Sequence, residues 1–361
     1  MRLLILGDAA SVHTLKWVRS LTEQGVEIQL VSLYTNVEPG IQALVDAGKI
    51  HVHLGEQGYA GSFASRAFLR RVRFVRGMVR SWKPNVVHAY YASSYGLLGA
   101  LSGARIYTIS VWGSDVYAFP KRGEIFKRIL SFSLGRASRV FSTSEAMAEE
   151  TRKYTSTPLT VIPFGVDTDA LAHPNRVLHT PFVFGTIKSL APIYGIDVLI
   201  RAFDQVRRLA DREVRLLLVG GGPQEAELKA LARSLKMSGW VEFTGAVPHA
   251  QVQPCLERMD VFCALSREES FGVAIVEAMA SGLPVVVSDA PGPAEIVSDG
   301  HDGYVVPRES VDAAAQAMLK LLEDETWNRF AGNAAQSARN KYHWPQNVQA
   351  QMDAYASLLE G

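Results

Sequence analysis

The sequence predicts an α/β protein made of two doubly wound, parallel-sheet units. Three observations carry that expectation. At 361 residues the chain is longer than one hydrophobic core usually organises, since single cores stop growing near roughly 250–300 residues. Short apolar runs alternate with amphipathic stretches, as buried parallel strands alternate with crossover helices. Charge is also split: residues 1–165 hold 20 Lys and Arg against 11 Asp and Glu, a net +9, whereas residues 166–361 hold 17 against 25, a net −8.

The first unit is expected to carry strands at Leu3–Leu6, Ile28–Leu33, Val86–His88, Ile106–Val111 and Val140–Ser142. Its opening run breaks at Asp8, too early for a secretion signal, and reads as a first buried strand. The second unit is expected to carry strands at Phe182–Gly185, Leu216–Val219, Val241–Phe243, Val261–Ala264 and Val285–Ser288. Periodicity fails between Pro163 and Pro181, where Pro163, Gly165, Asp167, His173, Pro174 and Asn175 interrupt it. The expected division is therefore 1–165, 166–340 and a helical segment 341–361. The pattern over Trp327–Gly361 is helical, with breaks at Tyr342, Trp344 and Pro345. That tail either packs on its own unit or crosses back to the first. Ligand crevices of such sheets lie at the carboxyl ends of the strands.

Composition narrows the class. With 48% apolar and 20% charged residues and a net charge of +1, the chain is not a disordered tail, a collagen-like fibre or a disulfide scaffold. Cys255 and Cys263 are the only cysteines, which suggests a reduced, cytoplasmic protein. No apolar run approaches the roughly 18 residues of a membrane span.

The segment richest in chemistry is Ser266–Pro284. It follows the apolar run Val261–Leu265 and ends at Gly282 and Pro284, a normal helix stop. A helix from about Gly272 to Ser281 would start at the carboxyl end of a strand, with free N–H groups and a positive dipole end suited to an anion. Glu269 precedes that helix and Glu277 lies within it, leaning back toward its start. Two carboxylates beside an anion site suit a ligand with phosphates and hydroxyls. The plainer alternative makes Glu277 a solvated helix residue and Glu269 an acid that complements the dipole.

The run Glu269-Ser270-Phe271-Gly272-Val273-Ala274-Ile275-Val276-Glu277 resembles the signature of the retaining GT-B glycosyltransferases of family 4. Gly292–Val297, Gly300–Gly303, Leu218–Pro223, Val241–Gly245 and Pro163–Asp167 match the family in kind and order, covering most of residues 160–306. Gly220-Gly221-Gly222 fails the dinucleotide fingerprint, whose third glycine would fall at Glu225. The resemblance implies the GT-B fold, two Rossmann-like domains facing each other across a cleft, with a nucleotide-diphosphate sugar held mostly by the second. Glu277 would then bind the ribose and Glu269 the donor sugar. Ser270, Phe271, Gly272 and Val273 would offer backbone N–H groups, with Gly221 and Gly222 in the glycine-rich turn. Transfer of a hexose or N-acetylhexosamine would proceed with retention, without a cofactor or bound metal, to a glycan or lipid-linked acceptor.

Two departures from the family pattern stand out. The family's Gly-Arg-Leu and Lys-Gly are replaced in Gly185–Gly195, where Lys188 is the sole cation and Tyr194 stands at the lysine position. Lys188 is expected to take over the phosphate role, with Arg267 as a helper, against the alternative of a solvated loop lysine. The family's His-Gly-x-Asp-like loop reads Trp112-Gly113-Ser114-Asp115 here. Trp112 cannot carry a proton, though it can wall a pocket with Gly113 and Ser114. His13 and His88 follow strands and are alternative imidazoles near the reacting centre, or structural residues. Asp115 is either an acceptor-side contact or a loop cap.

Residues 66–80 hold six arginines and no acid, with Phe68, Val72, Val75 and Val79 on one helical face. This is a solvated basic face or a contact with an anionic membrane at the inner face of the plasma membrane, helped by Lys121, Arg122, Lys127, Arg128, Arg136 and Arg139. Nucleic acid is not an expected partner, because a recognition motif and stacking aromatics are missing. Besides a transferase, a noncatalytic nucleotide-sugar-binding partner protein, a nucleotide-sugar epimerase or a phosphorylase shares the architecture. A phosphorylase needs a longer chain and a pyridoxal cofactor.

Overall fold

The computed structural model describes residues 1–56, 63, 66–173 and 176–361. Pro174 and Asn175, expected at the boundary, lie outside these residues. The chain divides into two compact units, Met1–Pro163 with Asn347–Gly361, and Phe164–Gln346.

In the first unit β1 (Arg2–Leu6), β2 (Glu27–Val31), β3 (Ile50–His53), β4 (Val86–Tyr90), β5 (Tyr107–Val111), β6 (Arg139–Ser142) and β7 (Leu159–Val161) form one sheet in the order β3-β2-β1-β4-β5-β6-β7. Every pairing is parallel. The direction of winding reverses between β1 and β4. Right-handed crossovers then put helix Val12–Glu23 on one face and helices Arg66–Trp82, Ser94–Ala100 and Glu124–Gly135 on the other. The second face is sealed by Leu4, Leu6, Val87 and Ile109 against Phe68, Val72, Val75, Leu98 and Leu130. Helix Arg66–Trp82 buries Met78 where the sequence pattern points to Val79, which is only partly buried.

The opposite face is closed from far along the chain. Helix Trp344–Glu360 brings Tyr355 over the sheet, and Tyr355 is fully buried. There it meets His88, and this corrects the expectation for that residue. The His88 ring is buried among Tyr90, Phe141 and Tyr355. Its Nδ1 lies 2.5 Å from Tyr355 Oη and its Nε2 2.8 Å from Ser110 Oγ. With both ring nitrogens engaged inside the core, His88 is a strut and not an acceptor-side group.

Burial pushes the His88 imidazole down to about 3, because desolvation disfavours the cation. The unfolded imidazole titrates near 6.5, so the unfolded chain binds the extra proton between those values. This group therefore leaves stability intact above about pH 6.5 and subtracts about 1.4 kcal/mol per pH unit below it. Thermal unfolding between pH 7 and 4 should steepen for this reason, and His88→Gln should flatten the acid limb. Parallel curves for the two proteins would refute the assignment.

The second unit contains β8 (Phe182–Ile187), β9 (Val214–Val219), β10 (Val241–Gly245), β11 (Val261–Ala264), β12 (Val285–Ser288) and β13 (Gly303–Val306), in the order β10-β9-β8-β11-β12-β13. These pairings are parallel too. Phe184, Leu216, Leu218 and Cys263 pack with Leu199, Phe203, Met318 and Phe330 in its core. Arg176 donates to Leu256 O, Met259 O and Ser281 O at 2.8–3.2 Å. It thereby caps the carboxyl ends of helices Val252–Glu257 and Val273–Ala280, where unpaired carbonyls and the negative dipole end favour a cation. Among the described residues no helix is long and apolar enough to cross a membrane.

Candidate active site

In the second sheet the winding reverses between β8 and β11, and in open α/β sheets the crevice beyond the carboxyl ends at such a point is where ligands bind. The loops that follow β8, β9 and β11 meet there. Gly220, at φ +140°, directly follows β9; a Cβ on it would stand 1.9 Å from Lys188 O, so only glycine lets the two loops pass. Gly221 and Gly222 follow directly, and the Gly221 carbonyl accepts from Leu190 N at 3.0 Å.

This packing aims Lys188 at Glu269. Lys188 Nζ donates to Glu269 Oε1, while Ser266 Oγ donates to Oε2 at 2.7 Å. The Tyr194 ring centroid is 5.3 Å from the ammonium, and burial together with the Glu269 charge raises the Tyr194 phenol. The Lys188 and Glu269 side chains are only 8% and 10% exposed. Such charges persist out of water only when paired and hydrogen-bonded, and this pair is both. Lys188 is accordingly a buried, paired side chain and not a solvated loop lysine.

Helix Val273–Ala280 starts after Gly272, whose φ of +115° favours glycine, and no side chain caps it. The Phe271 ring is buried against Phe164 and Tyr342 at 6.0 and 5.8 Å. That anchor fixes the Ser270–Val273 backbone beside Glu269, at a helix start whose dipole end favours an anion. Glu277, one turn further along, is buried at 9% exposure.

Arg267 departs from its expected role. Its fork grips both Asp197 oxygens at 2.8 and 2.9 Å, and it also donates to Glu309 and to Pro192 O. Hydrogen bonding to Asp197 holds the guanidinium well above its ordinary value. A cation so matched is a brace between loops, not a ready phosphate ligand.

The first unit has its own cavity of about 560 Å³, formed by the loops after β1, β2, β4 and β5 together with Phe63. It spans the winding reversal of that sheet. Trp112 stacks on Tyr90 at 5.0 Å and meets the His13 ring edge-on at 5.9 Å. Ser114 Oγ and Tyr91 Oη are hydrogen-bonded. Gly113, at φ +136°, starts the short helix Ser114–Tyr117.

Asp115 is wholly buried and turned to its own backbone. Its carboxylate accepts N–H groups from Ala92 at 2.7 Å, Gly113 at 2.8 Å and Trp112 at 3.1 Å. Burial raises its carboxyl and these bonds pull it back down, with burial prevailing. It is a loop cap that ties the β4 and β5 loops together, which corrects the acceptor-side expectation. Asp115→Ala leaves two buried donors and one half-buried donor unpaired and should lower stability by about 2 kcal/mol or more, at about 1–3 kcal/mol per orphaned buried group. Urea unfolding measures this; a loss below about 1 kcal/mol would contradict the cap.

Sequence reasoning missed Ser266, whose only signal is its position three residues before Glu269, and the aromatic pair Tyr90-Tyr91 that closes β4. A further cavity of about 460 Å³, lined by His179, Arg215, Trp240 and others, opens at the amino ends of β8–β10. It shares no residue with the site. Among the described residues no group of three or more His, Cys, Asp or Glu is placed to hold a metal ion.

Two parallel, doubly wound sheets with this loop cluster define the GT-B class. The family model "Glycosyl transferases group 1" matches residues 168–341, and "Glycosyl transferase 4-like" matches residues 2–144. The chain belongs to the group 1, family 4 glycosyltransferases. It is 34% identical over 189 residues to a phosphatidyl-myo-inositol mannosyltransferase of Mycobacterium leprae, covering 51% of this chain and 49% of the relative. It is 29% identical over 256 residues to a phosphatidylinositol N-acetylglucosaminyltransferase component of Arabidopsis thaliana, covering 69% and 56%. The chain thus spans about half the length of the curated relatives it matches. The structure of Anabaena HepE in complex with UDP superposes with a TM-score of 0.82 at 19% identity, covering 99% of this chain and all of that one.

Proposed function

We propose that this chain is a retaining, metal-independent glycosyltransferase that moves a hexose or N-acetylhexosamine from a nucleotide-diphosphate sugar to a lipid-linked or glycan acceptor. The observation that carries this reading is the buried Lys188–Glu269–Ser266 cluster beside the uncapped helix start at Gly272. Before the donor arrives, Glu269 holds the ammonium. A diphosphate, more highly charged than one carboxylate, draws Lys188 to itself, and the released Glu269 oxygen accepts a hydroxyl of the donor sugar. Glu277 takes the ribose hydroxyls. As the acceptor oxygen bonds to the anomeric carbon, the bond to the diphosphate breaks on the same face. A phosphate oxygen takes the acceptor's proton, and Lys188 with the helix-start N–H groups stabilises the departing charge.

The first unit receives the acceptor in this reading. Helix Arg66–Trp82 exposes Leu69 (54%) and Phe74 (39%) among Arg66, Arg70 and Arg73. Helix Glu124–Gly135, on the same face of the sheet, exposes Ile125 and Phe132. Apolar side chains set among cations suit an anionic membrane surface. The names of the two relatives, both referring to phosphatidylinositol compounds, support a lipid acceptor at the cytoplasmic face of the plasma membrane. Equal sedimentation with neutral and anionic vesicles would count against docking.

The transferase reading is tested by incubating the full chain with a panel of UDP- and GDP-sugars. Slow release of free nucleotide from one donor is expected. Tight binding with no release from any donor would favour a noncatalytic partner protein instead.

A further inference from the structure

The first unit's cavity combines an aromatic wall, hydroxyls, a guanidinium and one carboxylate, Asp8, which accepts from Ala10 N at 2.9 Å. Its wall is aromatic, with Trp112 backed by Tyr90. Its rim carries the hydroxyls of Ser11, Ser93 and Ser114. At one edge stands Arg122, whose guanidinium lies 4.6 Å from the Phe126 ring centroid and 5.9 Å from that of Phe119.

Arg122 is held by aromatic rings and not by a carboxylate, as Arg71 and Arg329 also are. Arg267, Arg258 and Arg215 all spend their forks on carboxylates, and Lys188 rests on Glu269. Among the described residues Arg122 has no carboxylate within ion-pair distance. Aromatic faces orient it by cation–π attraction without neutralising it. The helix Glu124–Gly135 that begins just after it has no side-chain cap. An oriented, uncompensated guanidinium at the mouth of a pocket matches a phosphate, which it can grip through two N–H groups. The remaining walls match a polyol ring, whose apolar face packs on Trp112 while its hydroxyls bond to the serines.

We propose that this cavity binds a phosphate-bearing polyol ring, a sugar or cyclitol phosphate, with the ring against Trp112 and the phosphate on Arg122. The proposal rests on the reading of this unit as the acceptor side, and it narrows the acceptor from any glycan to one with a phosphate next to the ring. A neutral glycan would leave Arg122 without a task.

Calorimetric titration of the full chain tests it with two matched pairs: myo-inositol 1-phosphate against myo-inositol, and glucose 6-phosphate against glucose. In at least one pair the phosphorylated member should bind ten-fold or more tightly. Arg122→Gln should abolish that preference, and Trp112→Ala should weaken both members. Neither substitution should change the affinity for UDP. The proposal fails if neither pair shows a preference, if the preference survives Arg122→Gln, or if inorganic phosphate alone binds as well as the phosphorylated ring. Donor turnover is scored separately by nucleotide release. A phosphate preference without turnover would sink the transferase reading alone, and turnover without a preference would sink this one alone.

Discussion

Glu269→Gln is expected to lower kcat/KM for the sugar donor by about a thousand-fold, near 4 kcal/mol of transition-state stabilisation. The amide can still accept the Ser266 proton, so the loop keeps its shape. It cannot hold the Lys188 ammonium, because the carboxylate charge is gone. Two consequences separate this outcome from simple damage. The unliganded protein should lose stability, since removing one partner from a buried pair is costly. UDP or GDP should bind at least as tightly as before, because the phosphate no longer competes with a carboxylate for Lys188. Lys188→Met should instead weaken both turnover and nucleotide binding, and Glu277→Ala should act mainly on donor KM. Steady-state kinetics and nucleotide titration check all three. Normal turnover in Glu269→Gln would remove the residue from the site.

Ending the chain after Gln346 should abolish cooperative unfolding of the first unit while the second keeps its own transition. The deleted segment buries Asn347, Val348, Gln351, Ala354 and Tyr355, and Asn347 Nδ2 donates to Pro163 O at 2.5 Å. Without it, His88 loses one ring partner, and Phe141, the ring that packs near Tyr355, loses its cover. Exposed apolar area costs about 25 cal/mol per Å², and units of this size are stable by only about 5–15 kcal/mol. Hydrogen exchange should show β4 and β6 amides opening freely in the shortened chain. Unchanged protection there would contradict the account. Tyr355→Phe, which removes only the hydroxyl, should lose on the order of 1 kcal/mol.

How legible the protein was depended on burial. Central strands such as β1, β9, β11 and β12 are covered on both faces and read as continuous apolar runs. The edge strands β3 and β7 were missed, because one flank is open to solvent and their burial is partial. His51, His53 and Thr160 break up their apolar runs. The edge strand β13 was missed because Gly303 and Tyr304 leave a run of only two valines, whereas the edge strand β10 was legible from Val241 and Phe243. Helix Val273–Ala280 was placed within a residue at each end, since Gly272 and Gly282 punctuate it. Glu269 and Lys188 could be named singly from motif and chemistry, but their pairing joins residues 81 positions apart, and only the adjacency of β8 and β11 creates it. Asp115, His88 and Arg267 show the converse. Each is a polar residue near the carboxyl end of a strand, and sequence does not reveal whether such a side chain turns to a ligand or to its own backbone and neighbours.

The order of synthesis gives the returning helix a further meaning. The unit made first cannot finish its sheet until residues 347–361, synthesised after the whole of the Phe164–Gln346 unit, pack over it. Its His88 face therefore stays uncovered for as long as that other unit is being made.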